Sequence, residues 1–329
     1  MEFADLARLA SGHVEARIVQ AAVELGIFDS VRNQRLSARA ISSSLQTHLR
    51  PTELLLNALT ALGLLAKDEG VFLLTPVSEK YLLRDSAHYL GDMILFDASL
   101  WNCWERLGDA IRTGNPVRTP DMYQNDAKDT ACFIKAMDSL VRARGDAAIV
   151  ADLLDWSAIT ELLDVGSGPA TYPIHLCGRF PRLHATILDL PGTMKVTERF
   201  VREAGLTGRI QLCAGDYRTD SIPGRYGAIL MSNIIHSESY EENERLIGKL
   251  ASNLISAGRL IIKDHILDES RAHPPVGAVF SMLMLITTQG GRCYTFGEVS
   301  GWMARAGLSN IQQIDLPPPL TSSLVVGER

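Results

Sequence analysis

The chain has 329 residues, of which 46% are hydrophobic and 21% charged, and its formal net charge is −6 at pH 7. This composition is typical of a globular protein, and the length favours two domains of about 100–200 residues each. The acidic balance argues against a protein that coats nucleic acid, and the sequence predicts neither a secretory leader nor a membrane span. We therefore expect a cytoplasmic protein without nucleic-acid or membrane partners.

The first part of the chain reads as helical. Apolar residues recur at helical spacing from Leu6 to Leu25, and Gly26 is a typical stop signal. Ser37 is placed to cap a short second helix, Ala38–Leu45, because its hydroxyl can accept a hydrogen bond from the first turn. The pattern thus predicts two helices in this part.

A third helix and a β-wing should follow. The helix is expected to open at Thr47 or Pro51 and to run through Leu65, and Val71–Leu74 reads as a short strand. This order is typical of a winged helix, a fold that can bind DNA. The third helix is rich in leucine, however, and carries Arg50 as its one cation, whereas a groove reader needs several polar or basic side chains. We expect a packing or dimer interface instead.

Residues 88–145 read as further helices. Apolar residues from Trp101 to Ile111 share one helical face, Gly114–Pro116 interrupts the pattern, and the pattern resumes before Met137. Core packing is the common fate of such residues. Trp101 and Met137 are nevertheless predicted as walls of a substrate pocket.

From about residue 145 onward, apolar runs of β type alternate with amphipathic helices, which predicts a parallel sheet covered on both faces. A helical segment is expected between each strand and the next. Ser239 and Thr295 each begin a capping box, and the chain closes with Asn310–Leu316 and Ser323–Gly327, an antiparallel edge hairpin. The predicted parallel strands are Glu161–Val165, Ala185–Asp189, Ile210–Ala214, Ala228–Asn233 and Arg259–His265.

The first of these strands leads into a glycine loop, Asp164-Val165-Gly166-Ser167-Gly168. Glycines let the backbone turn sharply and approach a ligand at the carboxyl end of a strand. A dinucleotide site would need a third glycine where Thr171 stands, and Asp164 would repel a phosphate but suits a cation. Taken alone, the loop is a weak signal.

Acidic residues also end the next two strands. Asp189 is placed to bind two ribose hydroxyls, and Asp216 is placed to accept from an adenine amino group. One such carboxylate is often only a solvated cap, but three at successive strands imply a nucleoside that carries a positive charge, which fits S-adenosylmethionine. The predicted cofactor site comprises Asp164, Gly166, Gly168, Asp189, Leu190, Gly215, Asp216, Tyr217 and Ser232.

His236 lies just beyond the fourth strand, at the sheet edge where ligands bind in such folds. A histidine can remove a phenol-like proton near neutral pH, although a lone histidine is more often a packed or solvated residue. Asp264, at the end of the fifth strand, is predicted to orient the imidazole and stabilise its charged form. The alternative for Asp264 is a strand-end carboxylate paired with Lys263 or Arg259.

Methyl transfer from a sulfonium requires a positioned nucleophile, removal of its proton and exclusion of water. Phe280 and Met284, in an apolar segment before Gly290-Gly291, are predicted to line an apolar acceptor pocket, although burial in the core is the commoner fate of each. The five cysteines are scattered, which predicts neither a metal site nor a disulfide framework.

Together these residues resemble the two-domain small-molecule O-methyltransferases, which include caffeate, acetylserotonin and bacterial polyketide or carotenoid O-methyltransferases. The resemblance covers essentially the whole chain and is carried by Asp164–Gly168, Asp189–Pro191, Gly215-Asp216, His236 and Gly290–Arg292. It implies an α/β Rossmann-like methyltransferase domain, with a mostly parallel sheet and an antiparallel C-terminal edge strand. It also implies an N-terminal, mainly α winged-helix dimerisation domain, and a homodimer whose N-terminal helices reach into the partner's pocket.

On this basis we expect the dimerisation domain at residues 1–100, a helical linker that contributes to the substrate pocket at residues 101–145, and the methyltransferase domain at residues 146–329. The expected activity is methylation of a hydroxyl on a small, aromatic or polycyclic metabolite, with His236 as general base. One alternative is C- or N-methylation of a large planar acceptor such as a tetrapyrrole. A second alternative is a winged-helix regulator that binds a ligand with its second domain, which the leucine-rich third helix disfavours. A third alternative is an enzyme that binds S-adenosylmethionine but uses the charge of this cofactor for a reaction other than methyl transfer.

Five positions depart from the family's pattern. Ala170 stands at the third loop glycine, Ser232 at a common lysine, and Ser237-Glu238 at an acidic-aromatic pair. Cys293 falls where many members carry a second carboxylate beside the catalytic histidine. The resemblance therefore implies that half of the usual clamp on His236 is missing.

Overall fold

The protein is described by a computed structural model that covers residues 1–329. The chain divides into two compact units, of which the first is Met1–Trp101 with Lys135–Arg144 and the second is Asn102–Ile134 with Gly145–Arg329. None of the helices combines the length and apolar character that a bilayer crossing requires.

The first unit is mainly helical and carries a small antiparallel sheet in the order β1-β3-β2. Its elements are α1 (Phe3–Leu25), α2 (Ile27–Ser30), β1 (Leu36–Ser37), α3 (Ala38–Ser44), α4 (Leu49–Ala61), β2 (Leu65–Asp68), β3 (Val71–Leu74), α5 (Pro76–Tyr81) and α6 (Gly91–Ser99). The expected cap is present, because the Ser37 hydroxyl accepts from the Ala40 N–H at 3.3 Å.

The third helix of this unit differs from the prediction. Helix α4 begins at Leu49, rather than at Thr47 or Pro51, and it ends at Ala61. Leu65 is the first residue of β2, where it pairs with Leu74 of β3 and is buried. The apolar periodicity did not separate a buried helical leucine from a buried strand leucine, because both patterns look alike over a short run.

The second unit contains the large sheet and the remaining elements. They are α7 (Trp101–Glu105), α8 (Leu107–Thr113), α9 (Ala127–Arg144), α10 (Asp146–Leu153), β4 (Glu161–Val165), α11 (Thr171–Arg179), β5 (His184–Asp189), α12 (Pro191–Glu203), β6 (Ile210–Ala214), β7 (Tyr226–Ser232), a 3₁₀ turn (Ile235–Ser237), α13 (Tyr240–Ser252), β8 (Leu254–Asp264), α14 (Pro275–Thr287), α15 (Phe296–Arg305), β9 (Ser309–Asp315) and β10 (Ser323–Glu328). Trp101 itself, and α9 from Lys135 onward, belong to the first unit.

The strand order in the large sheet is β6-β5-β4-β7-β8-β10-β9. Strands β4 to β8 pair in parallel, and β10 pairs antiparallel with β8 and β9. This confirms the mostly parallel sheet with an antiparallel C-terminal edge, and both predicted capping boxes are present. The strand order reverses beside β4, and ligands bind at such a switch point in open α/β sheets.

Two expectations about helices were wrong. No helix joins β6 to β7, because the connection 215–225 folds back on itself between Asp216 and Asp220 and contains Pro223, which a helix interior disfavours. The apolar face from Trp101 to Ile111 is broken into α7 and α8, and Ile111 is 60% exposed.

Candidate active site

The glycine loop after β4 approaches its neighbours closely. Gly166 and Gly168 have φ angles of 66° and 59°, a region that favours glycine. A Cβ on Gly166 would lie 2.3 Å from Cδ1 of Ile234, so a side chain at this position would displace Ile234. The Gly168 N–H donates to Oδ2 of Asp189 at 2.8 Å, which joins the loop to the end of β5.

Asp164, near the end of β4, is buried, and one of its two carboxyl oxygens has no hydrogen-bond partner. Its Oδ2 accepts from the Ser167 hydroxyl at 2.5 Å, whereas its Oδ1 is buried and has no hydrogen-bond partner. Burial raises the pKa of Asp164 to about 7. Because an unpaired buried carboxyl is costly, this site fits a ligand that brings a cationic donor, such as the ammonium of S-adenosylmethionine.

Asp189, at the end of β5, is also buried. Its Oδ2 accepts from Gly168, and its Oδ1 accepts from the N–H of Leu190 at 2.7 Å. Burial raises the pKa of Asp189, while these two N–H groups and the Thr193 hydroxyl oppose the rise. These donors use up to three of the about four acceptor positions of the carboxylate, so Asp189 can still accept from a ligand hydroxyl.

The end of β6 is more crowded than the sequence suggested. Asp216, next to Gly215, already pairs with Arg218, whose Nη2 lies 3.0 Å from Oδ2. Burial tends to raise the pKa of Asp216, but the Arg218 guanidinium holds it below its ordinary value. The hydroxyl of Tyr217 donates to Oε1 of Glu238 at 2.6 Å.

A buried histidine–aspartate pair follows β7. The Nδ1 atom of His236 lies 2.8 Å from Oδ1 and 3.0 Å from Oδ2 of Asp264, while its Nε2 has no hydrogen-bond partner in the chain. Asp264 also accepts from the backbone N–H of His265 at 2.8 Å. Burial tends to raise the pKa of Asp264, but the attraction and hydrogen bond of His236 keep it below its ordinary value. The pair therefore combines an anionic carboxyl with an available imidazole nitrogen.

The alternative prediction, that Asp264 pairs with Lys263 or Arg259, is wrong. Lys263 points to the other face of β8, where its Nζ pairs with Oδ2 of Asp146 at 3.0 Å and both side chains are buried. Arg259 pairs with Glu328 at the amino half of the strand. Adjacent strand residues face opposite sides, so Lys263 and Asp264 cannot both contact one group.

The predicted pocket residues lie in different parts of the chain. Phe280, on α14, meets the ring of His236 edge to face, with centroids 4.8 Å apart, and Met284 of the same helix is buried. Trp101 and Met137 belong to the first unit, where the Trp101 indole donates to Gln20 at 2.7 Å.

The structure also shows site neighbours for which the sequence offered no role. The carboxyl group of Glu238 accepts a hydrogen bond from the Tyr217 hydroxyl, and burial raises the pKa of Glu238. Cys293 is buried close enough to Asp264 for that carboxylate to favour the protonated thiol, and burial is the main cause that raises its pKa to about 12. Ser232, which the sequence did select, donates to Asn233 at 3.3 Å.

A sheet whose strand tips present a glycine loop and two buried carboxyls, with a histidine–aspartate pair beside them, is typical of S-adenosylmethionine-dependent transferases. Comparison with known proteins resolves the family. The model of the O-methyltransferase domain matches residues 104–309, and the model of the O-methyltransferase dimerisation domain matches residues 7–84. The chain therefore belongs to the O-methyltransferase family and is an S-adenosylmethionine-dependent methyltransferase with a dimerisation domain.

The relatives differ in what they methylate. The chain is 31% identical over 329 residues to a 3-hydroxy-5-methyl-1-naphthoate 3-O-methyltransferase of Streptomyces sahachiroi, covering 98% of this chain and 94% of that protein. It is 28% identical over 335 residues to an L-tyrosine C(3)-methyltransferase of Streptomyces lavendulae, covering 96% and 90%. A solved structure of PigF with SAH, a methyltransferase known from Serratia, has a TM-score of 0.89 at 25% identity and covers 100% of both chains.

Proposed function

We propose that the protein transfers the methyl group of S-adenosylmethionine to a hydroxyl on a small aromatic or polycyclic metabolite, with His236 as general base. The observation that carries this proposal is the buried His236–Asp264 pair, which leaves Nε2 without a partner. The aromatic acceptor class is supported by the naphthoate relative, because that protein aligns with almost the whole chain.

The cofactor would be held by the three strand tips. Asp164 meets the cationic methionine end, Asp189 binds the ribose hydroxyls, and Asp216 lies on the adenine side together with its partner Arg218. Bound S-adenosylmethionine supplies an activated methyl group on its sulfonium. The remaining residues proposed to line this site are Gly166, Gly168, Leu190, Gly215, Tyr217 and Ser232.

His236 would remove the proton of the acceptor hydroxyl. Asp264 accepts from Nδ1–H and so keeps the lone pair on Nε2, which is the atom that takes the proton. The acceptor O–H bond would break as Nε2–H forms, and the oxygen would take the methyl group that bound S-adenosylmethionine supplies. The Asp264 carboxylate then stabilises the charged imidazole until the proton leaves.

Phe280 and Met284 would exclude water from this reaction, since an apolar wall strengthens the charge interactions inside the site. Phe280 already packs against the His236 ring, and it also lies near His265, with ring centroids 5.4 Å apart.

We further propose that the protein is a homodimer formed through the N-terminal domain. The first half of α1 exposes large apolar side chains, among them Phe3 at 87%, Leu6 at 59% and Leu9 at 64% exposure. Such a surface is costly in water and marks an interaction site. The dimerisation-domain match over residues 7–84 supports a second copy as the occupant, with α1 reaching towards the partner's pocket.

The test is turnover of hydroxynaphthoates and related phenols with methyl-labelled cofactor, followed by identification of the product by NMR. We expect His236→Gln to lose at least a hundredfold in kcat while cofactor affinity stays within twofold of wild type. His184→Gln is the matched control, because His184 is exposed at the amino end of β5. Wild-type turnover in His236→Gln would show that His236 is not the general base.

One further outcome distinguishes a second candidate function. The alignment with an L-tyrosine C(3)-methyltransferase favours C-methylation of a phenol as the alternative, since a phenolate directs reaction to ring carbon as well as to oxygen. A product that carries the label on carbon would replace O-methylation with this reaction.

A further inference from the structure

The segment Asn233–His236, here called the base segment, leads from the end of β7 to the proposed general base. Asn233 has a φ angle of 60°, in the left-handed region, which asparagine tolerates better than most residues. Its N–H donates to the carbonyl of Lys263 at 2.7 Å, one step beyond the last register pair of β7 and β8, Ser232 with Lys263. The chain leaves the sheet at Asn233, and the direction of this turn decides where His236 lies.

Lys263 also holds Asn233 through its side chain. Its Nζ lies 3.2 Å from Oδ1 of Asn233, 3.0 Å from Oδ2 of Asp146 and 3.5 Å from Oγ of Ser322. An ammonium has three N–H donors, so these three contacts use all of them. Burial tends to lower the pKa of Lys263, but Tyr172 and Asp146 hold it above its ordinary value. The ammonium therefore stays charged and fully bonded inside the protein.

The ion pair of Asp146 and Lys263 lies almost completely out of solvent, with 2% and 1% of the two side chains exposed. Oδ1 of Asp146 is buried without a hydrogen-bond partner, so Lys263 is the group that balances this charge. Removing two charges from water costs about as much as their attraction returns, and apolar residues of similar volume often support a fold equally well. The contact that the pair fixes explains it better than a gain in stability does.

Consecutive residues of β8 hold the two ends of the base segment. Lys263 binds Asn233 with both its carbonyl and its ammonium, whereas Asp264 binds the ring of His236 with its carboxylate. The backbone N–H of His236 also lies 3.4 Å from Oδ2 of Asp264. We propose that Lys263 is a positioning residue for His236, because it fixes the start of the base segment and so the place of Nε2. This proposal rests on the proposed role of His236 as general base.

The first test replaces the whole ion pair, in the double variant Asp146→Leu with Lys263→Met. Lys263→Met alone would leave a buried charge unpaired, whereas the apolar pair should melt within a few degrees of wild type in a thermal scan. The kcat for the acceptor found in the turnover test should fall roughly ten- to hundredfold, because a displacement of about 1 Å has a cost on this scale. The Kd for S-adenosylmethionine should stay within about threefold of wild type, since the lost contact acts on the base.

The matched control is Arg259→Met with Glu328→Leu, which removes another ion pair from the same strand. Arg259 is the register partner of Ala228, four residues before Ser232 on β7, and so lies away from the base segment. This control should keep the wild-type kcat.

A second variant, Asn233→Gly, removes the other partner of the contact and leaves the ion pair in place. Glycine adopts a φ angle of 60° without strain, so the turn can form while Oδ1 is absent. This variant should lose kcat to a similar extent, and it decides the question even where the double variant is unstable. Combining it with the double variant should add no further loss, since all three substitutions remove one interaction.

A comparison of acceptors separates a misplaced base from a general loss of activity. A phenol that is already ionised at the assay pH needs no base, whereas an unionised phenol does. The loss of kcat in the double variant should therefore be much smaller for a nitro-substituted, ionised analogue of the acceptor than for the acceptor itself. An equal loss for both would show that the pair supports the fold and does not position His236.

The results separate this inference from the function on which it rests. Wild-type kcat in the folded double variant or in Asn233→Gly, with a large loss in His236→Gln, would overturn the role of Lys263 alone. Wild-type turnover in His236→Gln would overturn the general base, and the role of Lys263 with it. A loss of kcat in all of these variants, with the Arg259 control unaffected, supports both.

Discussion

The sharpest test of the proposed mechanism is Asp264→Asn, because it removes one charge and leaves the shape of the side chain. Asp264 is fully buried, and its carboxylate contacts Nδ1 of His236 at 2.8 Å. The asparagine oxygen can still accept from the N–H of His265, so the end of β8 should keep its fold. Because Nδ1 also contacts Oδ1, the same oxygen can accept from Nδ1–H, so the variant chiefly loses the negative charge beside the imidazole.

The size of the effect follows from the contact. A 2.8 Å hydrogen bond between Nδ1 and Oδ1 puts the two charge centres about 4 Å apart once His236 takes up a proton. Two unit charges at that distance attract by about 4 kcal/mol at an effective dielectric constant of about 20. Because about 1.4 kcal/mol corresponds to a tenfold change in rate, kcat should fall roughly a thousandfold.

The assay is single-turnover methyl transfer with labelled cofactor, run beside calorimetric titration of the cofactor. We expect the rate of the chemical step in Asp264→Asn to fall by about three orders of magnitude while Kd for S-adenosylmethionine stays near wild type. Circular dichroism and a thermal melt establish that the variant is folded. A rate within fivefold of wild type in a folded variant would refute the reasoning, since the carboxylate would then not stabilise the transition state.

Two further predictions concern stability and assembly. Burial raises the pKa of Asp164 from 3.8 to about 7, so ionisation of this carboxyl destabilises the folded state when no cofactor is bound. The loss of stability begins near pH 4, is complete above pH 7 and amounts to at most about 4 kcal/mol. Asp164→Asn should therefore raise the melting temperature of the cofactor-free protein at pH 8 and flatten the fall of that temperature between pH 5 and 8, while cofactor affinity drops. If differential scanning fluorimetry shows an unchanged dependence of the melting temperature on pH, this reasoning is contradicted. The double variant Leu6→Glu with Leu9→Glu should be monomeric by light scattering after gel filtration, and Arg8→Gln should remain a dimer, because the exposed apolar side chains are the proposed contact. A dimer in the double variant would exclude this face of α1.

Features that depend on residues close together along the chain could be predicted from the sequence alone. Alternating strands and helices predicted a parallel sheet, and the carboxyl ends of its strands had to share one edge, which brought attention to Asp164 and Asp189. The capping boxes at Ser239 and Thr295 were predicted for the same reason, since the bonding groups lie within one helical turn.

Other features depend on pairs of residues that are distant in sequence. Whether Leu65 continues a helix or starts a strand was decided by its pairing with Leu74. The partner of Lys263 is Asp146, from a helix before the sheet begins, and no local pattern indicates that pairing.

Gln124 and Thr193 are 69 residues apart, and only the folded chain brings their side chains together. Periodicity reports which face of an element is apolar, but it contains no information about which other element covers that face. That choice is made by strand order and packing, so polar contacts between distant residues become visible only in the tertiary structure.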